Sequence, residues 1–251
     1  MWELHRESFE ASGQETGESS ADFDRLVDGQ VRRARTTYQK ERALKELAGY
    51  DVDWDQISPQ EVLALEKLVA QNPQEAQMQT FLEENPKFLI QALTGGHGRY
   101  QIAKPRLGAE FIPDFMVAEM DSMGIHWFAV ELESPRKKAV RGDGSPRREV
   151  HQALAQVQDW RSWLSRNLEY ARKRRDEHGL GLIGIDATVP GLILIGRREE
   201  YPEHYNEFRR SQLDRQRIEI HSYDWLVDVA RSNSSRQLQL YAKTSYLHGR
   251  T

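Results

Sequence analysis

The apolar positions change period along the chain, and each change marks an element. From Ser20 to about Gly49 they recur at helical spacing, with Phe23, Val27, Ala34 and Tyr38 near one stripe. Ser58-Pro59-Gln60-Glu61 is a helix start, combining an N-cap, Pro at the first position and Glu at the third, and it predicts a helix to about Gln71. Asn72-Pro73-Gln74-Glu75 repeats the signal. It predicts a second helix that stops before Pro86, with Met78, Phe81 and Leu82 inward and Glu75 and Gln79 on one shared face. After "TGGHG" the period drops to two. "RYQIAK", "AEFIPDFMVAEM" (interrupted at Pro113) and "IHWFAVELE" predict three strands, the last two forming a hairpin that turns at "DSMG". In the third strand Phe128, Val130 and Leu132 face one way, and Trp127, Ala129, Glu131 and Glu133 the other. Pro135 closes it.

"KKAVRGDGSP" reads as a loop. Ser145-Pro146 predicts the cap of a long helix reaching about Glu177, with Val150, Leu154, Val157, Leu164 and Leu168 buried and Gln152, Gln156 and Trp160 off that stripe. A strand "GLILIG", a helix "EHYNEFRRSQLDRQ", a strand "RIEIHSY" and a helix "DWLVDVARS" follow. Residues 1–18 and the polar tail after Ser232 read as disordered. This order predicts a mixed β-sheet flanked by helices, an α/β or α+β fold. Residues 58–231 form the expected domain, residues 1–57 an acidic, helical N-terminal extension, and residues 232–251 a flexible tail.

Composition narrows the setting. The 251 residues contain no cysteine, which excludes disulfides and thiolate metal sites and suits a reducing compartment. The N-terminus lacks the basic and apolar regions of a signal peptide, and "GLILIG" is far too short to span a bilayer, so the expectation is a soluble, cytoplasmic protein without a membrane partner. Net charge is -4. Between Ser134 and Arg175, however, twelve Lys or Arg face only four acids. Such a run is either a surface for phosphates or a solvated helix face.

The chemistry lies at the strand ends. Asp114 opens one strand, Glu131 and Glu133 close the next, and the hairpin would bring these ends together. Carboxylates aimed at one point bind Mg²⁺ or Mn²⁺, and without a cation their repulsion would raise a pKa. An ordinary wet strand face beside a Pro-Asp turn is the other reading of the same residues. Other motifs carry less. "GLGLIG" (179–184) has the G-x-G-x-x-G spacing but no helix start after it, so no nucleotide cofactor is expected. His97, His126, His151 and His178 show no ligand spacing, and neither H-E-x-x-H nor G-x-S-x-G occurs. Trp160 and Trp163 beside Arg161 fit packing beneath a helix better than base stacking.

"PDF", a strand and "ELE" resemble the P-D…(D/E)-X-K motif of restriction-endonuclease-like nucleases. The ordered set "EAQMQTFLEENPKFL", "IPDFMV", "FAVELESP", "ALAQVQDW", "LILIGRREEY" and "RIEIHSYDWL" is similar to the Shedu family of anti-phage defence nucleases over roughly residues 70 to 230. The resemblance implies a Mg²⁺- or Mn²⁺-dependent DNA endonuclease that forms a homo-oligomer, a dimer or tetramer. Asp114 and Glu131 would be the metal pair, with Glu133 assisting as ligand or base. Glu75 or Gln79 would sit near the site, and Gln156 would flank it from the long helix. Arg136, Lys137, Lys138, Arg147 and Arg148 would hold DNA. One departure stands out: Glu133 occupies the position where the family carries Lys. Lys137 or Lys138 could reach in from the loop instead. A nuclease-fold module that binds DNA or a partner without cleaving is the alternative this departure leaves open.

Overall fold

The computed structural model describes residues 20–53, 56–93, 98–203 and 205–248. Residues 1–19 and His97 lie outside the described residues. Helix α1 (Ser20–Leu47) is followed by α2 (Pro59–Ala70), α3 (Glu75–Glu84) and α4 (Lys87–Leu93). Then come β1 (Gly98–Ala103), β2 (Phe115–Met120) and β3 (Ile125–Leu132), the long α5 (Arg148–Arg172), β4 (Gly191–Leu194), α6 (Tyr205–Gln216), β5 (Ile218–His221) and α7 (Tyr223–His248). Single 3-10 turns occupy Arg175–Glu177 and Arg198–Glu200.

The five strands lie in the order β1-β2-β3-β4-β5. The first three form an antiparallel meander, and β4 and β5 add in parallel through helical crossovers, so the sheet is mixed. Both faces are covered. Val117, Val130, Leu132, Leu192 and Leu194 pack beneath α2, α4 and α7. Met116, Ala118, Trp127, Ala129 and Ile193 pack beneath α5 and the end of α1. Double coverage explains why β4 is apolar at every position. The outer edge of β1 is closed by the chain at 50–52, where Val52 N–H donates to Arg99 O at 2.9 Å and Gln101 N–H to Tyr50 O at 3.0 Å. Among the described residues no helix is long and apolar enough to cross a membrane.

The Ser58 start is realised as a reciprocal cap. Ser58 Oγ accepts the Glu61 N–H at 3.3 Å, and Glu61 Oε2 accepts the Ser58 N–H at 2.8 Å. Lys87 Nζ, 2.6 Å from Glu61 Oε1, ties α4 to the same point. Ser58→Ala is expected to lower stability by about 1 kcal/mol, read as a lower urea midpoint at unchanged slope. An unchanged midpoint would show that the Lys87 bond alone holds this corner.

Several elements depart from the sequence reading. Helix α4 follows Pro86 directly, its buried Phe88, Leu89 and Ile90 forming too short a run to show a helical period. The second strand begins only at Phe115, because the chain before it makes a tight bridge between Leu107 and Phe111. The long helix starts at Arg148, not at Ser145-Pro146, since Pro146 is held in a bridge with Val140. The sequence pattern puts Trp160 off the buried stripe, yet it is 2% exposed and Trp163 4% exposed. Gly108, in the chain between β1 and β2, lies against the Trp163 ring, so the buried face of α5 is wider than one stripe. The polar stretch after Ser232 continues α7 to His248, and Asn233 Nδ2 donates to Gln91 O at 3.0 Å.

Candidate active site

The strand register brings the predicted acids together. Phe115 pairs with Val130 and Met116 with Ala129, so Asp114, one step before β2, falls opposite Glu131 on the same face of the sheet. The backbone of Asp114 is held on two sides. Its carbonyl accepts the Lys104 N–H at 2.8 Å and, from α3, Gln79 Nε2 at 3.4 Å. Its carboxylate turns toward β3, where Oδ2 accepts the Leu132 N–H at 2.8 Å. Glu131 and Glu133, two apart on β3 and its extension, point to this side, and each is 6% exposed. Glu133 is kept in the sheet by its N–H bond to Leu194 O at 2.8 Å.

The helices complete the cluster. Glu75, in the first turn of α3, and Gln79, one turn later, share a face as expected, and both reach the site. Gln156 on α5 is exposed, yet its side chain lies near enough to Glu131 to favour the charged carboxylate. The Lys137 ammonium is hydrogen-bonded to the Glu133 carboxylate and lies 3.9 Å from Glu75 Oε2.

Electrostatics follow from this crowding. Burial pushes the Glu131 carboxyl far above the usual range, and the charges of Asp114, Glu133 and Glu75 push the same way against the pull of Gln156. Burial also raises Asp114, with Glu75 and Glu133 adding to it, while the Leu132 N–H and Lys104 pull it down. Burial raises Glu133 as well, although Lys137 opposes the shift. Among the described residues no three histidine, aspartate or glutamate side chains are arranged to hold one ion as they stand. This departs from the three converging acids expected from the sequence. Glu133 is engaged by Lys137, and Asp114 and Glu131 remain as the opposed pair.

The basic run is divided by its own helix. α5 has 25 residues with a kink at Asn167, and at ~1.5 Å per residue its path is about 37 Å long. Its N-terminal half lies beside the acids, and its far end lies beyond the opposite end of β3. There the arginines cap backbone and bind within the fold. Arg161 donates to Val189 O and Gln216 O at 2.7 Å, Arg172 to Ile185 O at 2.6 Å, and Arg175 to Glu46 O at 2.6 Å. The cations near the acids are those of 136–148. Arg136, Lys138 and Arg148 are exposed, whereas Arg147 Nε is bonded to Val140 O at 3.0 Å and Arg136 Nε to Asn72 O.

One further group was not legible in the sequence. The buried Tyr223 hydroxyl has no partner among the described residues, and burial together with the charges of Asp114, Glu75, Glu133 and Glu131 keeps it protonated. Oε1 of Gln79 is likewise buried and unpartnered among the described residues. Tyr223 carries no spacing signal toward the acids, because it arrives on another element, whereas Gln79 is where its helical spacing from Glu75 predicts. The "GLGLIG" segment forms a loop between the Arg175–Glu177 turn and β4, with no helix opening on it.

No curated protein matches the chain. The family model described as "Shedu protein SduA, C-terminal" matches residues 72–227, more than half of the chain. The matched span begins just before Glu75 and ends just past Tyr223, so it encloses the whole cluster and leaves out α1 and α2. The chain belongs to the Shedu protein SduA C-terminal family, a family associated with anti-phage defence.

Proposed function

We propose that the chain is a divalent-cation-dependent DNA endonuclease of the restriction-endonuclease-like kind, acting on phage DNA in the cytoplasm. The observation that carries this reading is the opposition of Asp114 and Glu131 across β2 and β3, both desolvated and both unfavourably close to other acids. A fold that gains nothing from such a pair has reason to keep it if a cation joins it. The donor set fits Mg²⁺ or Mn²⁺, which take hard carboxylate oxygens together with several waters. The unpartnered Gln79 Oε1 beside Asp114 is an acceptor that such a water would satisfy.

A divalent cation held by Asp114 and Glu131 would polarise a phosphodiester oxygen and acidify a water. The other residues have supporting work. Gln79 and the Lys104 N–H fix the Asp114 backbone, and Gln156 stands beside Glu131 and favours its charged form. Glu133 and Glu75 hold Lys137. Arg148 and Lys138, exposed at the start of α5 and in the loop before it, meet the flanking phosphates.

The test is incubation of the purified chain with supercoiled and linear DNA in Mg²⁺, Mn²⁺ or EDTA, beside titration calorimetry with Mn²⁺. Cleavage confined to the divalent-ion samples, with saturable Mn²⁺ binding that Asp114→Asn removes, is the expected result. Cleavage that persists in Asp114→Asn would remove this residue from the chemistry. One observation favours a second reading: Glu133 is bound to Lys137 and does not stand free as a third ligand. Salt-sensitive DNA binding with neither Mn²⁺ uptake nor cleavage would establish that module without catalysis.

A further inference from the structure

A phosphodiester brought to this site meets four carboxylates, those of Glu75, Asp114, Glu131 and Glu133. Like charges crowded in this way repel, and their burial strengthens the repulsion. The site therefore needs a cation of its own, placed firmly enough to meet charge as it develops. Among the described residues Lys137 is the cation within 4 Å of two of these carboxylates, Glu133 and Glu75.

The backbone that delivers it is pinned in a way that a solvated loop lysine does not need. Lys137 N–H closes a turn on Ser134 O at 2.9 Å. Ser134, 7% exposed, donates its hydroxyl to Pro73 O at 2.8 Å, and its Oγ accepts the Arg136 N–H at 3.1 Å. Arg136 Nε is bonded to Asn72 O, which ties the loop again to the entry of α3. On the other side Gly196 lies directly against the Lys137 carbonyl. The loop is thus fastened to α3 and to the end of β4. The Lys137 side chain is 41% exposed, open to a substrate as well as to the acids.

We propose that Lys137 is a catalytic residue of this site, its ammonium meeting a non-bridging oxygen of the scissile phosphodiester. The proposal rests on the nuclease reading above. In the hydrolysis, water forms one new P–O bond and the P–O bond to the sugar oxygen breaks. The attacking water gives up a proton to solvent, and the leaving oxygen takes one from solvent. No oxidant or reductant is involved. Lys137 stays protonated throughout, offsetting the charge that builds on the phosphorus oxygens.

Lys137→Met and Lys137→Gln test this through two readouts, plasmid cleavage in Mg²⁺ or Mn²⁺ and the rise in melting temperature on adding Mn²⁺. Two neutral variants are used so that one folding failure does not end the test. The expected result is wild-type circular dichroism and a wild-type Mn²⁺ shift, with cleavage reduced by about 10²- to 10³-fold. Cleavage within threefold of wild type overturns the role of Lys137 and leaves the nuclease reading standing. Loss of the Mn²⁺ shift together with cleavage also overturns it, because Lys137 would then build the site and not act in it. A wild-type chain that cuts no DNA in either ion overturns the nuclease reading and Lys137 with it.

Discussion

Glu131→Gln is expected to lower cleavage by about a thousandfold or more while making the cation-free protein more stable. The two effects share one cause. Glu131 is 6% exposed and stands opposite Asp114, with Glu133 and Glu75 nearby. Without a cation the fold must either desolvate its charge beside these acids or take up a proton to remove it, and both cost free energy. Glutamine has the same shape and escapes that cost. A gain of about 1–2 kcal/mol follows, typical of active-site residues selected for function over stability, and a melting temperature raised by roughly 2–8 °C. The lost oxygen donor removes several kcal/mol of transition-state stabilisation, and each ~1.4 kcal/mol is tenfold in rate. Excess Mn²⁺ should reverse the order of stability, since binding stabilises only the protein that can hold it. A Glu131→Gln protein that melts below wild type in EDTA would show the pair to be structural and not strained.

Gly196→Ala is expected to cost about 2–3 kcal/mol and to disturb the site without touching an acid. Gly196 adopts φ +67°, where a side chain adds about 1–2 kcal/mol of strain. An added Cβ would lie 2.5 Å from the Lys137 carbonyl oxygen, a backbone atom that cannot swing aside. The 134–137 turn must shift, and the Lys137 ammonium shifts with it. Urea denaturation should show the lower midpoint, and cleavage well below the melting temperature should fall with no change in Mn²⁺ affinity. Full stability in the alanine variant would mean that the turn relaxes freely, and that its fastening to α3 does not hold Lys137 in place.

Much of the fold follows from local pattern. The Ser58 capping box, the alternation of β3 and the apolar run of β4 each identify an element, because burial imposes a period that the residues record. β3 also announced its own asymmetry, since two acids interrupt a face that otherwise holds Trp127 and Ala129. α4 escaped notice because seven residues are too few for a period to emerge. Trp160 falls outside a single-stripe pattern because α5 is covered on more than one side. The basic run of 136–175 is continuous along the chain but not in space. Composition counts charges along the chain, whereas α5 carries them from one end of the sheet to the other, where Arg161, Arg172 and Arg175 bind carbonyls.

The sequence alone determined that carboxylates stand at the ends of two adjacent strands and that a helix bearing Glu75 and Gln79 precedes them. Strand alternation and helical spacing are local rules, and they need no knowledge of distant contacts. Only the tertiary structure decided which of the nearby charges meet: Asp114 against Glu131, Glu133 against Lys137, and Gln156 reaching Glu131 from α5. Those meetings depend on strand register and on a turn fastened by Ser134, Asn72 and Gly196, residues far apart in the chain. Electrostatic energy falls with distance in space, and spacing along the chain does not report that distance.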